Sequence, residues 1–272
     1  AVLGSGFALM GILVLIRRSG LSLRPQWDPS YLKAATRFGA ALQFSNLLVL
    51  LTARIDLVLV YRLSTAAEAG SYSIALTVGS LVGAVPIAIS YASFPRLALL
   101  SEREAGALTA QVFRVGIASA LVAAVGLGVV TPFAVPMVFG QPYAGAVGPT
   151  LVLIPGGVLW SAQWLLCRAA AARGAPAALL VSFAVGFSVM VGLDLVLIPP
   201  LGAMGAALAS LVAPCVGVTI AWLFHRKLTP GWRVFLPRAT DFASLVATLR
   251  TMVGRVGGRS GGDETASPRT GG

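Results

Sequence analysis

The chain has 272 residues, of which 57% are hydrophobic and 11% charged, and its mean hydropathy is +0.88. Soluble domains carry about 25% charged residues, so this composition excludes a water-soluble globular protein. The formal net charge of +11 would suggest a nucleic-acid partner in a soluble protein, but here the basic residues lie between apolar runs and in the tail, where they attract anionic lipids instead.

Seven apolar segments predict transmembrane helices, because they are continuously apolar rather than alternating. The first, residues 1–16, is too short for a full span and no cleavable signal pattern precedes it, so we expect a truncated helix in a fragment of a longer protein. Six full spans then form a predicted transmembrane lobe, residues 38–224. Their predicted bounds are 38–61, 72–92, 113–139, 147–167, 177–198 and 203–224.

The connections between these segments alternate in charge. Residues 17–37 form a basic loop, and further basic residues surround the third and fifth connections and follow residue 224, whereas the other connections are nearly neutral. By the positive-inside rule, the basic connections and the C-terminus are cytoplasmic. The alternation also supports the predicted number of segments.

The tail divides into two predicted parts. Residues 225–256 form a basic cytoplasmic tail, in which apolar residues recur at helical spacing from Asp241 to Val256. This amphipathic helix either lies on the membrane surface or packs against the protein's own loops. Residues 257–272 are rich in Gly, Ser, Arg and Thr and are predicted to be disordered.

The sequence offers no catalytic constellation. The single histidine, His225, stands beside Arg226 and Lys227 at a membrane edge, where snorkelling explains it. Cys167 and Cys215 have no paired spacing, and we expect both to be small buried hydrophobic residues. We therefore expect neither an enzyme nor a metal or cofactor site.

Ionisable residues within the second segment are candidate cavity residues. Arg54 and Asp56 point about 200° apart on a helix, so we do not expect them to pair. Arg54 shares its face with Gln43 and Asn46. Its guanidinium could bind an anionic substrate group such as a phosphate; a structural ion pair or a contact with outer headgroups is the alternative.

A second candidate group lies on one face of the fifth segment. Trp160 and Trp164, with the amide of Gln163 beside them, could stack on sugar rings in a cavity, although an interfacial aromatic belt explains the two tryptophans equally well. Asp194 precedes two prolines at the end of the sixth segment. We interpret it mainly as a local hydrogen-bonding residue, with a proton relay as the alternative.

Four stretches together resemble the C-terminal half of a polysaccharide or oligosaccharide flippase of the multidrug/oligosaccharidyl-lipid/polysaccharide exporter superfamily. They are RIDLVLV at residues 54–60, EAGSYSIA at 68–75, SFPRL at 93–97 and LVLIPPLGAMGAALAS at 195–210. The resemblance implies an all-α polytopic transmembrane bundle, the second lobe of a two-lobed flippase, with about six complete helices and one truncated helix.

The same resemblance implies a function. Such proteins move an undecaprenyl-pyrophosphate-linked oligosaccharide across the bacterial inner membrane by alternating access, for cell-surface polysaccharide biosynthesis. Arg54 would correspond to the family's cationic cavity residues, and glycan-assembly proteins would be potential partners. By the same resemblance, we expect this chain to lack the N-terminal lobe, so that alone it would form half of the cavity.

Three other functions stay open at this point. A drug or metabolite antiporter of the same superfamily would have the same fold. A membrane enzyme acting on the same lipid carrier would need a larger extramembrane loop with acidic, histidine or arginine clusters. A non-transporting scaffold would be favoured if Arg54 faced lipid or formed a tight ion pair.

Overall fold

The computed structural model describes residues 28–225, apart from the side chains of Ala34 and His225. The chain divides after Gly39, so the first unit is described only from residue 28 to residue 39. The predicted truncated helix, most of the predicted basic loop, the amphipathic tail helix and the predicted disordered tail lie outside the described residues.

The described residues are helical almost throughout. The helices are α1 (Pro29–Leu63), α2 (Ala66–Ser80), α3 (Ala84–Leu99), α4 (Glu102–Phe139), α5 (Val147–Ala172), α6 (Pro176–Leu201) and α7 (Ala203–His225), with short 3-10 helices at Leu81–Gly83 and Gln141–Ala146. Because α2 and α3 form one span, the described residues contain six helical spans long and apolar enough to cross a membrane. The predicted all-α bundle with six complete spans is confirmed.

Helix α1 begins well before the predicted apolar segment. The Asp28 carboxylate accepts the backbone N–H groups of Ser30 at 2.9 Å and Tyr31 at 3.2 Å, which caps the first turn. The Ser30 hydroxyl and these N–H groups lower the pKa of Asp28. A proline at the first helical position costs nothing, because its missing N–H would be unpaired there anyway. Hydropathy detects the apolar part of such a helix and misses its polar first turns.

Helix α4 likewise begins before its apolar segment, at Glu102 instead of residue 113. Ser101 and Glu104 form a capping box, in which each side chain satisfies the other's backbone N–H. The charged turns that follow were predicted to be a loop. They are helical because the cap starts the helix outside the apolar run.

The lobe has two ends with different charge. We call the end with residues 64–65, 140–146 and 202 the neutral end, and the end with residues 100–101 and 173–175 the basic end. At the basic end, the Arg173 guanidinium donates to the Leu100 carbonyl at 2.7 Å and so ties the end of α5 to the end of α3.

Helix α5 is the most buried span and α4 the least. Toward the neutral end, its Leu153 belongs to a core cluster with Val60, Tyr72, Ile198 and small residues of α7. A second cluster lies toward the basic end. It contains Trp164, Leu166, Leu179, Phe183 and Ala221.

Small residues bring α6 and α7 into close contact. A Cβ atom at Gly205 would overlap the Leu197 carbonyl, and Ala206, Ala207 and Ala209 are fully buried. Lipid tails are as apolar as leucine, so helices in a bilayer associate through this kind of close packing.

The two cysteines differ in their environment. Both are free; Cys167 is buried and Cys215 is exposed. The prediction that both are buried is therefore wrong for Cys215. An apolar run does not reveal which side of a transmembrane helix faces its neighbours.

Candidate functional site

A cavity of about 350 Å³ lies inside the lobe, bordered by α1, α2, α3, α5, α6 and α7. Glycines of α2, of the 3-10 helix that follows it, of α5 and of α6 make room for it: Gly79, Gly83, Gly156, Gly157 and Gly186. Most of its lining is apolar. The polar residues in its wall are Thr52, Asp56, Ser80, Gln163 and Ser210.

Asp56 is the charged residue of this wall and is 2% exposed. Its Oδ2 atom accepts hydrogen bonds from the Ser210 hydroxyl at 2.7 Å and the Tyr72 hydroxyl at 3.0 Å. Its Oδ1 atom is buried and has no hydrogen-bond partner among residues 28–225. The carboxylate therefore joins α1, α2 and α7 and keeps one free acceptor.

Asp194 on α6 is fully buried, and neither carboxylate oxygen has a hydrogen-bond partner within the described part of the chain. Asp194 on α6 and Asp56 on α1 are thus two buried carboxylates of the lobe. The interpretation of Asp194 as a local hydrogen-bonding residue is wrong, because neither of its buried oxygens has a hydrogen-bond partner among the described residues. Sequence position alone does not reveal that burial.

The predicted residues of α5 lie on the inner side of the lobe. Trp160 and Gln163 line the cavity. The Gln163 amide donates to the Ser182 hydroxyl at 2.9 Å, which in turn donates to the Gly217 carbonyl at 2.8 Å. Gln163 thereby links α5, α6 and α7 inside the membrane, where unpaired polar groups are costly.

Trp164 lies behind the cavity wall and is 5% exposed. Its ring stacks on Trp160 at 5.3 Å, and its indole N–H donates to the Ser90 hydroxyl at 3.0 Å. The Arg168 guanidinium lies 5.1 Å from the Trp164 ring and 4.5 Å from the Tyr91 ring. Trp164 thus packs within the lobe and holds a cation of the basic end.

Arg54, Gln43 and Asn46 occupy a different surface. All three are exposed on α1, and the Asn46 amide donates to Gln43 at 3.2 Å. As predicted, Arg54 and Asp56 point to different sides of their helix. The structure therefore separates the predicted site residues into an exposed α1 group and a cavity group.

Sequence reasoning missed the partners of the buried polar groups. Tyr72, Ser182 and Ser210 each contact a candidate residue, yet a serine or tyrosine in an apolar segment is unremarkable by itself. A signal existed for two of them. Tyr72 lies in the stretch 68–75 and Ser210 in the stretch 195–210, two of the four stretches that resemble the flippase family, and Asp56 lies in a third.

Residues 28–225 contain no group of three or more His, Cys, Asp or Glu side chains that could hold a metal ion. Asp56 and Asp194 nevertheless provide two carboxylates and two nearby hydroxyls. This set is chemically suited to a proton or a monovalent cation. That the protein needs no resident cofactor stays a prediction.

Comparisons with known proteins identify the family. A family model described as polysaccharide biosynthesis protein matches residues 4–148, more than half of the chain. No curated protein matches. A solved structure of a MOP superfamily transporter from Pyrococcus furiosus is similar to this chain, with a TM-score of 0.51 and 18% sequence identity. For that transporter, the reversed polarity of the binding pocket is taken to suggest a different function.

The match with that transporter covers 79% of this chain and 50% of the transporter. The chain thus spans half the length of a solved structure that shares its fold. Six helical spans also make it a multi-pass membrane protein. The chain belongs to the polysaccharide biosynthesis protein family, and it has the fold of half of a MOP superfamily transporter.

Proposed function

We propose that this chain is one lobe of a flippase that moves an undecaprenyl-pyrophosphate-linked oligosaccharide across the bacterial inner membrane by alternating access. The family match and the transporter fold support transport rather than catalysis. In this proposal the basic end and the C-terminus are cytoplasmic. Anionic lipids contact the basic end, and glycan-assembly proteins are further partners.

The exposed polar face of α1 is the observation that carries the proposal. Between residues 40 and 61, at 100° per residue, one sector of about 80° holds the exposed polar residues of α1 and one leucine: Gln43, Asn46, Leu50, Arg54 and Tyr61. The next sector is apolar: Phe44, Leu47, Leu51 and Val58. Polar groups at membrane depth face protein or water, so we place the first sector toward a second lobe and the space between the lobes.

Arg54 is the cation of that sector. It stands nine residues before the end of α1 at Leu63, about 14 Å below the neutral end at 1.5 Å per residue. A guanidinium can bind two phosphate oxygens at once through parallel N–H donors. We therefore propose that Arg54 binds the pyrophosphate while Gln43 and Asn46 contact the sugars.

The buried carboxylates supply a coupling element for this transporter. A charged carboxylate without a counter-charge is costly inside a lobe, so Asp56 and Asp194 favour a bound proton or a bound monovalent cation. Binding there would change the contacts that Tyr72 and Ser210 make with Asp56. Those contacts join α1 to α2 and α7. Binding of the proton or cation can therefore bias the orientation of α1 and of the exposed polar sector that we assign to the substrate.

A second candidate function is a drug or metabolite antiporter of the same superfamily. The mainly apolar cavity with one carboxylate favours it, because such a site suits a small amphipathic molecule. In that case glycan export would not depend on Arg54.

Replacing Arg54 in the protein with both lobes tests the proposal. Arg54→Ala should abolish export of the cell-surface glycan at unchanged protein level. Arg54→Lys should retain a part of the export, since lysine keeps the positive charge but lacks the parallel N–H donors of the guanidinium. Arg62→Ala is the matched control, as Arg62 is exposed near the neutral end of the same helix. Normal export with Arg54→Ala would remove this residue from the mechanism.

A further inference from the structure

We propose that Arg168, on α5 near the basic end, binds the pyrophosphate group of the substrate before that group reaches Arg54. The inference rests on the proposed function, because the ligand is the lipid-linked substrate of the flippase. It adds a second phosphate site, at a different height in the membrane. Arg168 does not line the cavity inside the lobe, so the site is separate from that cavity.

Aromatic rings hold the guanidinium of Arg168. Its Cζ atom lies 4.5 Å from the centroid of the Tyr91 ring, 5.1 Å from that of Trp164 and 5.4 Å from that of Phe94. Its Nε atom is enclosed and has no hydrogen-bond partner among residues 28–225. The faces of aromatic rings attract a cation, but they supply neither a negative charge nor a carboxylate or carbonyl acceptor. A bound anion would supply both.

The two terminal nitrogens of Arg168 are the donors that a ligand can reach. Arg168 is half-buried, and of its three side-chain nitrogens only Nε is enclosed without a partner. No hydrogen bond within residues 28–225 engages the terminal nitrogens, in contrast to Arg173, which donates to the Leu100 carbonyl. Two parallel N–H donors match two oxygens of a phosphate. Tyr91 is 53% exposed beside them, and its hydroxyl can donate a further hydrogen bond.

The Arg168 side chain points into the membrane rather than toward the headgroups of the basic end. Arg168 stands four residues before the end of α5 at Ala172, so its backbone lies about 6 Å below that end. Helical side chains lean toward the N-terminus of their helix, which for α5 is the neutral end. The contact with Trp164, four residues earlier, agrees with this direction. An arginine that anchors a helix to headgroups points the other way, so Arg168 is directed at a ligand at membrane depth.

The surface that leads to Tyr91 is suited to water. Five exposed residues follow one another at helical spacing along α2, the 3-10 helix and α3: Thr77, Leu81, Ala84, Ala88 and Tyr91. Apart from the leucine, these side chains are polar or small. The stripe thus resembles the exposed polar sector of α1, whereas the exposed surface of α4 is rich in valine, phenylalanine and methionine, as expected against lipid. A charged phosphate can approach Arg168 along such a stripe.

This stripe and the polar sector of α1 border the same space. A groove near the neutral end is lined both by Tyr61 of that sector and by Ser73, one turn before the stripe begins. Helix α5 has 26 residues and is about 39 Å long, so the backbones of Arg54 and Arg168 differ in height by about 20 Å. One pyrophosphate cannot contact both arginines at once. It would move from Arg168 to Arg54 as the substrate crosses the membrane.

Binding of farnesyl pyrophosphate to the purified protein with both lobes, measured by calorimetry, tests the inference. The protein carries Arg54→Ala, so that the site assigned to Arg54 does not contribute. The added change Arg168→Ala should weaken binding at least about tenfold, whereas Arg96→Ala, which removes an exposed cation of the same end, should not. No binding to the Arg54→Ala protein would overturn the inference, as would equal affinity with and without Arg168→Ala.

Two further arms identify the group that binds. Farnesol, which lacks the phosphates, should bind at least about tenfold more weakly than farnesyl pyrophosphate. An excess of phosphatidylglycerol should leave farnesyl pyrophosphate bound. Displacement by phosphatidylglycerol would assign the site to a membrane phospholipid and would overturn its assignment to the substrate.

A second variant guards against an Arg168→Ala protein that does not fold. Arg168→Lys keeps a cation between the rings but lacks the parallel N–H donors, and it should weaken binding at least about threefold. Unchanged affinity in Arg168→Lys would contradict the site. Glycan export tests the flippase proposal separately. Export by the unmodified protein without binding at Arg168 would overturn this inference alone, and binding at Arg168 without export would overturn the flippase proposal alone.

Discussion

Glu68 on α2 accepts the backbone N–H of Ala203, the first residue of α7, at 2.8 Å. A carboxylate at a helix N-terminus pairs with an N–H group that has no partner in its own helix and with the positive end of the helix dipole. Gly202 permits the contact, because a Cβ atom there would lie 2.8 Å from the Glu68 carboxylate and its φ is +57°. This bond closes the neutral end of the lobe between two distant parts of the chain.

Removing this bond should destabilise the lobe. We expect Glu68→Ala to lower the free energy of unfolding by about 1 kcal/mol, a typical loss for a helix cap. Glu68→Gln should lose less, since its amide oxygen still accepts. Glu102→Ala, at an exposed position in the first turn of α4, is the control. Thermal unfolding in detergent measures the series, and equal midpoints for Glu68→Ala and Glu102→Ala would contradict the role of the bond.

Two glycines in membrane helices should respond oppositely to alanine. Gly205→Ala would drive a Cβ atom into the Leu197 carbonyl, and overpacking of this kind costs about 1–3 kcal/mol. Gly126→Ala on α4 meets nothing within 4 Å and should be neutral or slightly stabilising. Unfolding of the two variants is compared side by side. A Gly205→Ala protein as stable as Gly126→Ala would mean that α6 and α7 do not pack as described.

Gln163 and Gly217 should be energetically coupled. A Cβ atom at Gly217 would overlap the Gln163 side chain, whose amide is held by Ser182. Gly217→Ala should therefore destabilise the protein, and the added change Gln163→Ala should recover part of the loss by making space. Contacting residues show coupling energies of about 0.5–3 kcal/mol in such cycles. If the changes in the free energy of unfolding for the two substitutions are strictly additive, the side chains at positions 163 and 217 are not in contact.

The buried acids should govern coupling more than stability. Asp194→Asn removes a buried carboxylate that has no hydrogen-bond partner among the described residues, so we expect little loss of stability. Transport by the variant should no longer depend on the cation gradient. Uptake measured with a proton gradient, a sodium gradient or neither identifies the ion. Unchanged gradient dependence in both Asp194→Asn and Asp56→Asn would exclude these acids from coupling.

The sequence predicts much of this fold because membranes limit the choice of structure. Apolar length and loop charge predict six spans, since a bilayer requires internally bonded backbone. They do not predict where α1 and α4 begin, because polar caps such as Asp28 lie outside the apolar signal. Helical angles predict that Arg54 and Asp56 point to different sides.

The candidate site was less predictable from sequence. Which side of α1 faces the lobe depends on neighbouring helices, so the burial of Asp56 and the exposure of Arg54 required the structure. The same holds for Asp194, whose lack of hydrogen-bond partners among residues 28–225 follows from packing. The stretches that suggest the family did contain Tyr72 and Ser210, but spacing alone did not connect them to Asp56.

Reconstitution of the protein with both lobes into liposomes is the most direct test of the central claim. An undecaprenyl-pyrophosphate-linked oligosaccharide is placed in both leaflets, and its accessibility to an added glycosidase is followed over time. We expect protein-dependent exposure of the inner pool, lost in Arg54→Ala and retained in Arg62→Ala. A protected inner pool in liposomes that hold the folded, unmodified protein and a cation gradient would contradict the flippase account.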